Sequence, residues 1–207
     1  MGNVLGAIGV VLGLLVAPIV NATPTARPIK KEALLVGDSV MSILLHTDAA
    51  LTLLEKEHPF LLRSVPCQRL IFEGCKSFAK DSSLKMLQMN KGKFSKVVVV
   101  GTGYNDLDDA NFARAVREIT SEAKLQGVQV LWLTYRQAGN VRMKSMSYNR
   151  QLFELAKKID NLHILRWCDI SNGHPEWFAA DSVHMNATGG LALAKAISAA
   201  IGQLTTT

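Results

Sequence analysis

Apolar residues along the chain follow two alternating rhythms. Short apolar runs at 33–36, 61–65, 96–100, 128–134 and 162–166 read as strands, and the unbroken Val97-Val98-Val99-Val100 marks the clearest central one. Between and after them, apolar positions recur at helical spacing over 40–57, 77–89, 109–125, 144–158 and 188–201. Strands that are apolar throughout need cover on both faces. The alternation therefore predicts one three-layer α/β/α domain around a mostly parallel five-stranded sheet, spanning 33–207. In such sheets ligands bind beyond the carboxyl ends of the strands.

The N-terminal part follows a different pattern. Residues 4–20 carry no charge, and Asn21-Ala22-Thr23-Pro24 after them is turn-like, so 1–22 read as a signal peptide with a cut after Ala22, or as an uncleaved membrane anchor. Myristoylation at Gly2 is excluded by Gly6, which stands where that motif needs Ser or Thr. A Pro/Ala/Thr-rich linker covers 23–32. The expectation is a secreted or membrane-anchored extracytoplasmic protein.

The chain has 207 residues, 48% hydrophobic and 19% charged, which suits a folded domain with a sizeable core. Its net charge of +6 is spread as single residues and pairs. That favours solvated faces or an anionic cell-envelope polymer, and no clustered basic and aromatic patch speaks for nucleic acid. The three cysteines leave two readings open: Cys67 and Cys75 close a small loop with Cys168 unpaired, or all three are buried thiols. No CxxC or HExxH spacing supports a metal site, and no cofactor is expected.

Three segments carry candidate chemistry. In LLVGDSVMSI, 34–43, a strand stops at Gly37-Asp38-Ser39 and a helical pattern begins at once. Ser39 there is either a helix cap or a nucleophile held at the mouth of the sheet. After the third strand comes Gly101-Thr102-Gly103-Tyr104-Asn105-Asp106. A dinucleotide-binding turn would need a third glycine where Asp106 stands, whereas the Asn105 amide suits an oxyanion near Ser39. In WFAADSVHMNATGG, Asp181 and His184 are spaced so that a carboxylate in a turn reaches the imidazole Nδ1–H. The GxSxG elbow of α/β-hydrolases is absent, since Met41 stands where its second glycine belongs.

GDS at 37–39, GYND at 103–106 and DSVH at 181–184, in that order, resemble the first, third and fifth sequence blocks of the SGNH (GDSL-type) hydrolase superfamily over about 33–201. CQRL at 67–70 with Cys75, WLTYR at 132–136, YNRQL at 148–152 and EWF at 176–178 are similar to the extracytoplasmic SGNH domains attached to actinobacterial membrane acyltransferases. The resemblance implies a flavodoxin-like α/β/α domain. It implies Ser39 as nucleophile, His184 as base and then acid, Asp181 as its orienting group, and the Ser39 N–H and Asn105 as oxyanion donors. The family's second-block glycine donor has no counterpart at Pro66-Cys67-Gln68-Arg69, so the Gln68 or Arg69 N–H takes that role, or Gly74 after a loop. Arg69, Tyr104, Trp177 and Phe178 are candidate substrate contacts, the two aromatics of EWF being either pocket walls or core. The expected activity is a serine esterase removing a small acyl group, acetyl first, from an acylated glycan or other cell-envelope ester. An O-acyltransferase with the same triad and a silent binding module are its rivals.

Overall fold

The computed structural model describes residues 1–2, 30–75, 78–107 and 109–205. The signal or anchor segment at 4–20 and most of the linker lie outside these described residues.

Five strands form one sheet: β1 (Lys31–Gly37), β2 (Phe60–Ser64), β3 (Phe94–Gly101), β4 (Gln129–Leu133) and β5 (Leu162–Leu165). Their order is β2-β1-β3-β4-β5, and every neighbouring pair is parallel. Parallel neighbours require crossovers, and helices supply them. The helices are α1 (Asp48–Glu57), α2 (Ser83–Met89), α3 (Asp109–Leu125), α4 (Arg142–Ala156), α5 (Trp167–Asn172) and α6 (Ala187–Thr205).

The side-chain alternation of each strand divides the core in two. Ala33, Leu35, Val97 and Val99 pack with Ala50 and Leu54 of α1 and Leu193, Ile197 and Ile201 of α6. Leu34, Val36, Val98 and Val100 face Leu87 of α2, Phe112 and Val116 of α3, and Tyr148 and Leu152 of α4. The four valines of β3 are at most 1% exposed. Each contributes about 1.5–3 kcal/mol through burial, so this strand anchors both layers.

β1 is bordered by β2 on one side and β3 on the other, so the chain reverses its direction of winding at β1. Such a reversal opens a crevice at the carboxyl ends of the two diverging strands. Gly37 pairs with Ser64 of β2 and Gly101 of β3, which brings the three following loops to one level.

Several boundaries differ from the expected ones. The helix expected over 40–57 is a 3-10 helix, Met41–His46, followed by α1. Thr47 separates them in an extended conformation, its hydroxyl donating to the Ile43 carbonyl in competition with the helical ladder. The helix expected over 77–89 begins at Ser83, because the Ser82 side chain caps the Lys85 N–H. The strand begins at Lys31, so the last two residues assigned to the linker belong to β1. The six-residue α5 is too short to leave a periodic signature.

Candidate active site

The crevice is built first by a tight departure from β1. A Cβ on Gly37 would lie 2.3 Å from the Met41 Cβ, so only glycine lets the chain turn this closely from strand into the 3-10 helix. Asp38 then turns inward. Its carboxylate is fully buried and accepts the N–H of Val40 at 3.0 Å and those of Gly103 and Tyr104 at 3.2 Å each. Burial pushes its pKa up to about 6, against the pull of these three donors and of nearby His184. Asp38 thus satisfies the Val40 N–H at this turn, and the 3-10 helix has no side-chain cap, so the cap reading of Ser39 falls away.

The Ser39 hydroxyl is engaged elsewhere. Its Oγ lies 2.8 Å from the His184 Nε2, and the His184 Nδ1 lies 2.6 Å from the Asp181 Oδ2. With Nδ1–H directed at the carboxylate, Nε2 is left to accept the serine proton. The other Asp181 oxygen accepts the Val183 and His184 N–H groups at 2.9 and 3.0 Å, locking the three-residue spacing into a turn. The hydrogen bond from His184 is the main cause that holds the Asp181 pKa down to about 2. Both side chains are about half exposed, at 48% and 49%, so the relay sits on an open shelf.

The loop after β3 closes the other side. Gly103 has φ +143°, and a Cβ there would lie 2.3 Å from the Tyr135 hydroxyl. Asn105 directs its side-chain amide toward the Gln68 carbonyl at 3.3 Å, while the Arg69 Nε donates to the Asn105 carbonyl at 3.0 Å. The β2 and β3 loops are therefore tied across Asn105.

Three backbone donors were open for the second-block role, and the structure distinguishes them. The Gln68 N–H is donated to the Val65 carbonyl at 3.1 Å, and its side chain is held by Ser83 and Asp81, so Gln68 is corrected from oxyanion donor to turn former. The Gly74 N–H goes to the Ala79 carbonyl. Among the described residues the Arg69 N–H has no such partner. The turn that commits Gln68 is stabilised by the Cys67–Cys75 disulfide, whose Cα atoms are 5.5 Å apart, with Cys67 itself at φ 64°. Cys168 is a free, buried thiol.

The candidate substrate contacts lie differently from expectation. Phe178 is a core residue, 9% exposed, with the Arg136 guanidinium 3.8 Å above its ring. Trp177 stacks on His174 at 3.8 Å and on Trp167 at 6.1 Å, and lines a groove along α6 with Ile170, Leu191 and Lys195. The short Pro175–Trp177 turn carries both aromatics onto the α5–α6 face, so they are corrected from pocket walls to packing residues. The Tyr104 hydroxyl faces inward and accepts the Arg136 N–H at 2.8 Å, and burial raises its pKa.

Several supporting residues carried no role in the sequence reading. Asp38 is one. Arg136 is another: it is 6% exposed and donates to the Ser182 carbonyl at 2.9 Å and to the Ser171 carbonyl at 2.5 Å. Ser182, in the Asp181–His184 turn, has φ 60°, so Arg136 braces a strained link. Asn149 in turn grips the Tyr135 backbone with paired bonds of 2.7 and 2.8 Å. The YR and YN pairs of the two motifs are thus scaffold. Among the described residues no cluster of three or more His, Cys, Asp or Glu side chains could hold a metal.

No family model matches the chain. A stretch of 45 residues, 22% of the chain, is 42% identical to the O-acetyltransferase OatA of Staphylococcus aureus, and it spans only 8% of that relative's length. The C-terminal catalytic domain of the Streptococcus pneumoniae peptidoglycan O-acetyltransferase OatA, solved with a methylsulfonyl adduct, superposes with a TM-score of 0.64 at 20% identity, covering 86% of this chain and 96% of that one. An SGNH hydrolase homologue from Slackia heliotrinireducens superposes with a TM-score of 0.63 at 17% identity, covering 83% and 98%. The chain has the SGNH hydrolase fold. Within that fold the open relay of Ser39, His184 and Asp181 stands at the crevice between β1 and β3.

Proposed function

We propose that this protein is a serine esterase of the SGNH type that removes a small acyl group, acetyl first, from a carbohydrate or cell-envelope ester through an acyl-Ser39 intermediate. The observation that carries this reading is the unbroken contact chain from Ser39 Oγ to His184 Nε2 at 2.8 Å and from His184 Nδ1 to Asp181 at 2.6 Å. In the first half-reaction Ser39 Oγ attacks the acyl carbonyl as His184 Nε2 takes its proton. The oxyanion formed is met by the Ser39 N–H, the Asn105 amide and the Arg69 N–H. Collapse breaks the ester bond, and His184 returns the proton to the departing sugar oxygen. Water, deprotonated by His184, then attacks acyl-Ser39; the acyl–Oγ bond breaks, His184 returns the proton to Ser39 Oγ, and the carboxylic acid is released.

The half-exposed Asp181 and His184 favour a bulky glycan presenting a short acyl group, since a long acyl chain calls for an enclosed apolar channel. An O-acyltransferase reading is favoured by the OatA relatives, and it differs only in the second acceptor: a glycan hydroxyl in place of water. The Cys67–Cys75 bridge supports an extracytoplasmic location, where such a bond persists. Incubation with O-acetylated peptidoglycan and with an unacetylated glycan acceptor tests both readings. Free acetate as the main product supports the esterase, and acetylated acceptor supports the transferase. Neither product, with both polymers bound, would favour a silent binding module.

A further inference from the structure

The loop carrying Asn105 is held by opposite charges on its two sides. On the amide side, the Gly103 and Tyr104 N–H groups point at the buried Asp38 carboxylate. On the carbonyl side, the Lys144 Nζ of α4 donates to the Tyr104 carbonyl at 2.6 Å and to the Asp106 carbonyl at 3.2 Å. The carbonyl between them, that of Asn105, accepts from the Arg69 Nε at 3.0 Å. Three successive carbonyls thus face cations while the amides at the loop's start face an anion. Each bond is charge-assisted and stronger than a neutral one.

Lys144 is unlike the solvated lysines of the chain. It is half-buried and makes no ion pair with a carboxylate among the described residues, its donors going to main-chain oxygens instead. Burial lowers its pKa, while Asp106, Asp38 and Asp109 act in the opposite direction. The Asp106 carboxylate meanwhile accepts the Leu70 N–H at 3.1 and 3.3 Å, so the loop braced by Lys144 also holds the segment that follows Arg69 in the loop after β2. A helix on one face of the sheet therefore reaches the crevice through one ammonium group.

We propose that Lys144 is a positioning residue, which fixes the Asn105 amide by clamping the carbonyls on either side of it. The inference rests on the acyl-transfer reading for its kinetic consequence, and on the loop alone for its structural one. An amide that must meet a developing oxyanion loses its effect when displaced by a fraction of an ångström to an ångström. An ammonium that grips residues 104 and 106 limits that displacement.

Two measurements test this on the full chain. With p-nitrophenyl acetate as substrate, Lys144→Met should lower kcat about 10-fold or more with KM within about twofold, and Lys144→Arg should restore most of the loss. In an Asn105→Ala background the same Lys144→Met change should cost less than about twofold, because its target is gone. Full additivity of the two substitutions would overturn the proposal. Hydrogen exchange at the Gly103, Tyr104 and Asp106 amides gives the second measurement, independent of turnover. Lys144→Met should speed it by about 10-fold or more while exchange in β3 and β4 is unchanged, and protection equal to wild type would overturn the clamp. A wild-type protein without turnover would refute the acyl-transfer reading, and the exchange result would still decide whether Lys144 holds the loop.

Discussion

The Arg136 Nε donates to the Ser182 carbonyl across 2.9 Å, and so the loop after β4 supports the turn that holds Asp181 and His184. The same guanidinium covers Phe178 and reaches the Ser171 carbonyl, joining α5 to that turn. Arg136→Met keeps much of the side-chain volume but leaves the Ser182 carbonyl without its donor and takes from the Ser171 carbonyl one of two, the His174 N–H remaining. We expect a loss of about 1–3 kcal/mol in urea unfolding, the cost of one buried polar group left unpaired. A fall in kcat should accompany it. Stability within 0.5 kcal/mol of wild type, a margin of about the size seen for ordinary surface substitutions, would contradict this role.

Asn105 should act on the rate rather than on binding. Loss of one oxyanion donor typically costs about 10²–10³ in kcat. Asn105→Ala is expected to show that loss with KM little changed in steady-state kinetics. A rise in KM at constant kcat would instead make Asn105 a substrate contact.

Asp38 gives stability an unusual pH dependence. Its folded pKa, about 6, lies above the ordinary value of 3.8, so the folded state holds the proton more tightly than the unfolded chain. The stabilisation is complete below about pH 4 and is lost as pH rises through about 6, an effect on the order of 3 kcal/mol for a shift of this size. Asp106, also raised to about 6 by burial, has the same sign. Asp181 has the opposite sign: its contribution is present above the ordinary carboxylate value and is lost only as pH falls toward about 2. Denaturant unfolding at pH 4.5 and 6.5 checks the first effect. Asp38→Asn should reduce the decline between these pH values, whatever it does to the absolute stability, and an unaltered decline would contradict the assignment.

The Cys67–Cys75 bridge closes a short loop, and short loops gain little from cross-linking, about 2–3 kcal/mol at most in the chain-entropy model. Its larger effect should be local, on the turn preceding Arg69. Graded reduction followed by parallel activity and melting measurements should show activity falling first. Full activity in the reduced, folded protein would remove the bridge from the account of the site.

The sheet was legible because β1 and β3 are short, apolar on both faces and alternate with longer helical patterns, and a sheet covered on both faces buries Leu34 and Leu35, or Val97 and Val98, at once. The contact between Ser39 and His184 could be anticipated because both fall at strand ends or in loops on one edge, and residue type narrows what chemistry they share. The tertiary braces were harder to foresee. Nothing local distinguishes Lys144 from the other basic residues of α4, and its role depends on where the β3 loop passes 40 residues earlier in the chain. Trp177 and Phe178 misled for the same reason: an aromatic pair ahead of Asp181 fits a pocket wall or a core equally well until the Pro175–Trp177 turn that orients it is known. Asp38 hid behind a familiar motif, since its partners Gly103 and Tyr104 are 65 and 66 residues away.

The central claim is that Ser39 accepts an acyl group, and intact mass after brief exposure to p-nitrophenyl acetate tests it most directly. The account predicts one acetyl group per protein at early times, mapping to the peptide that contains Ser39 and absent from Ser39→Ala. That variant should still fold, because the hydroxyl caps no helix. A protein that remains unmodified, or one acetylated equally well in Ser39→Ala, would contradict the account.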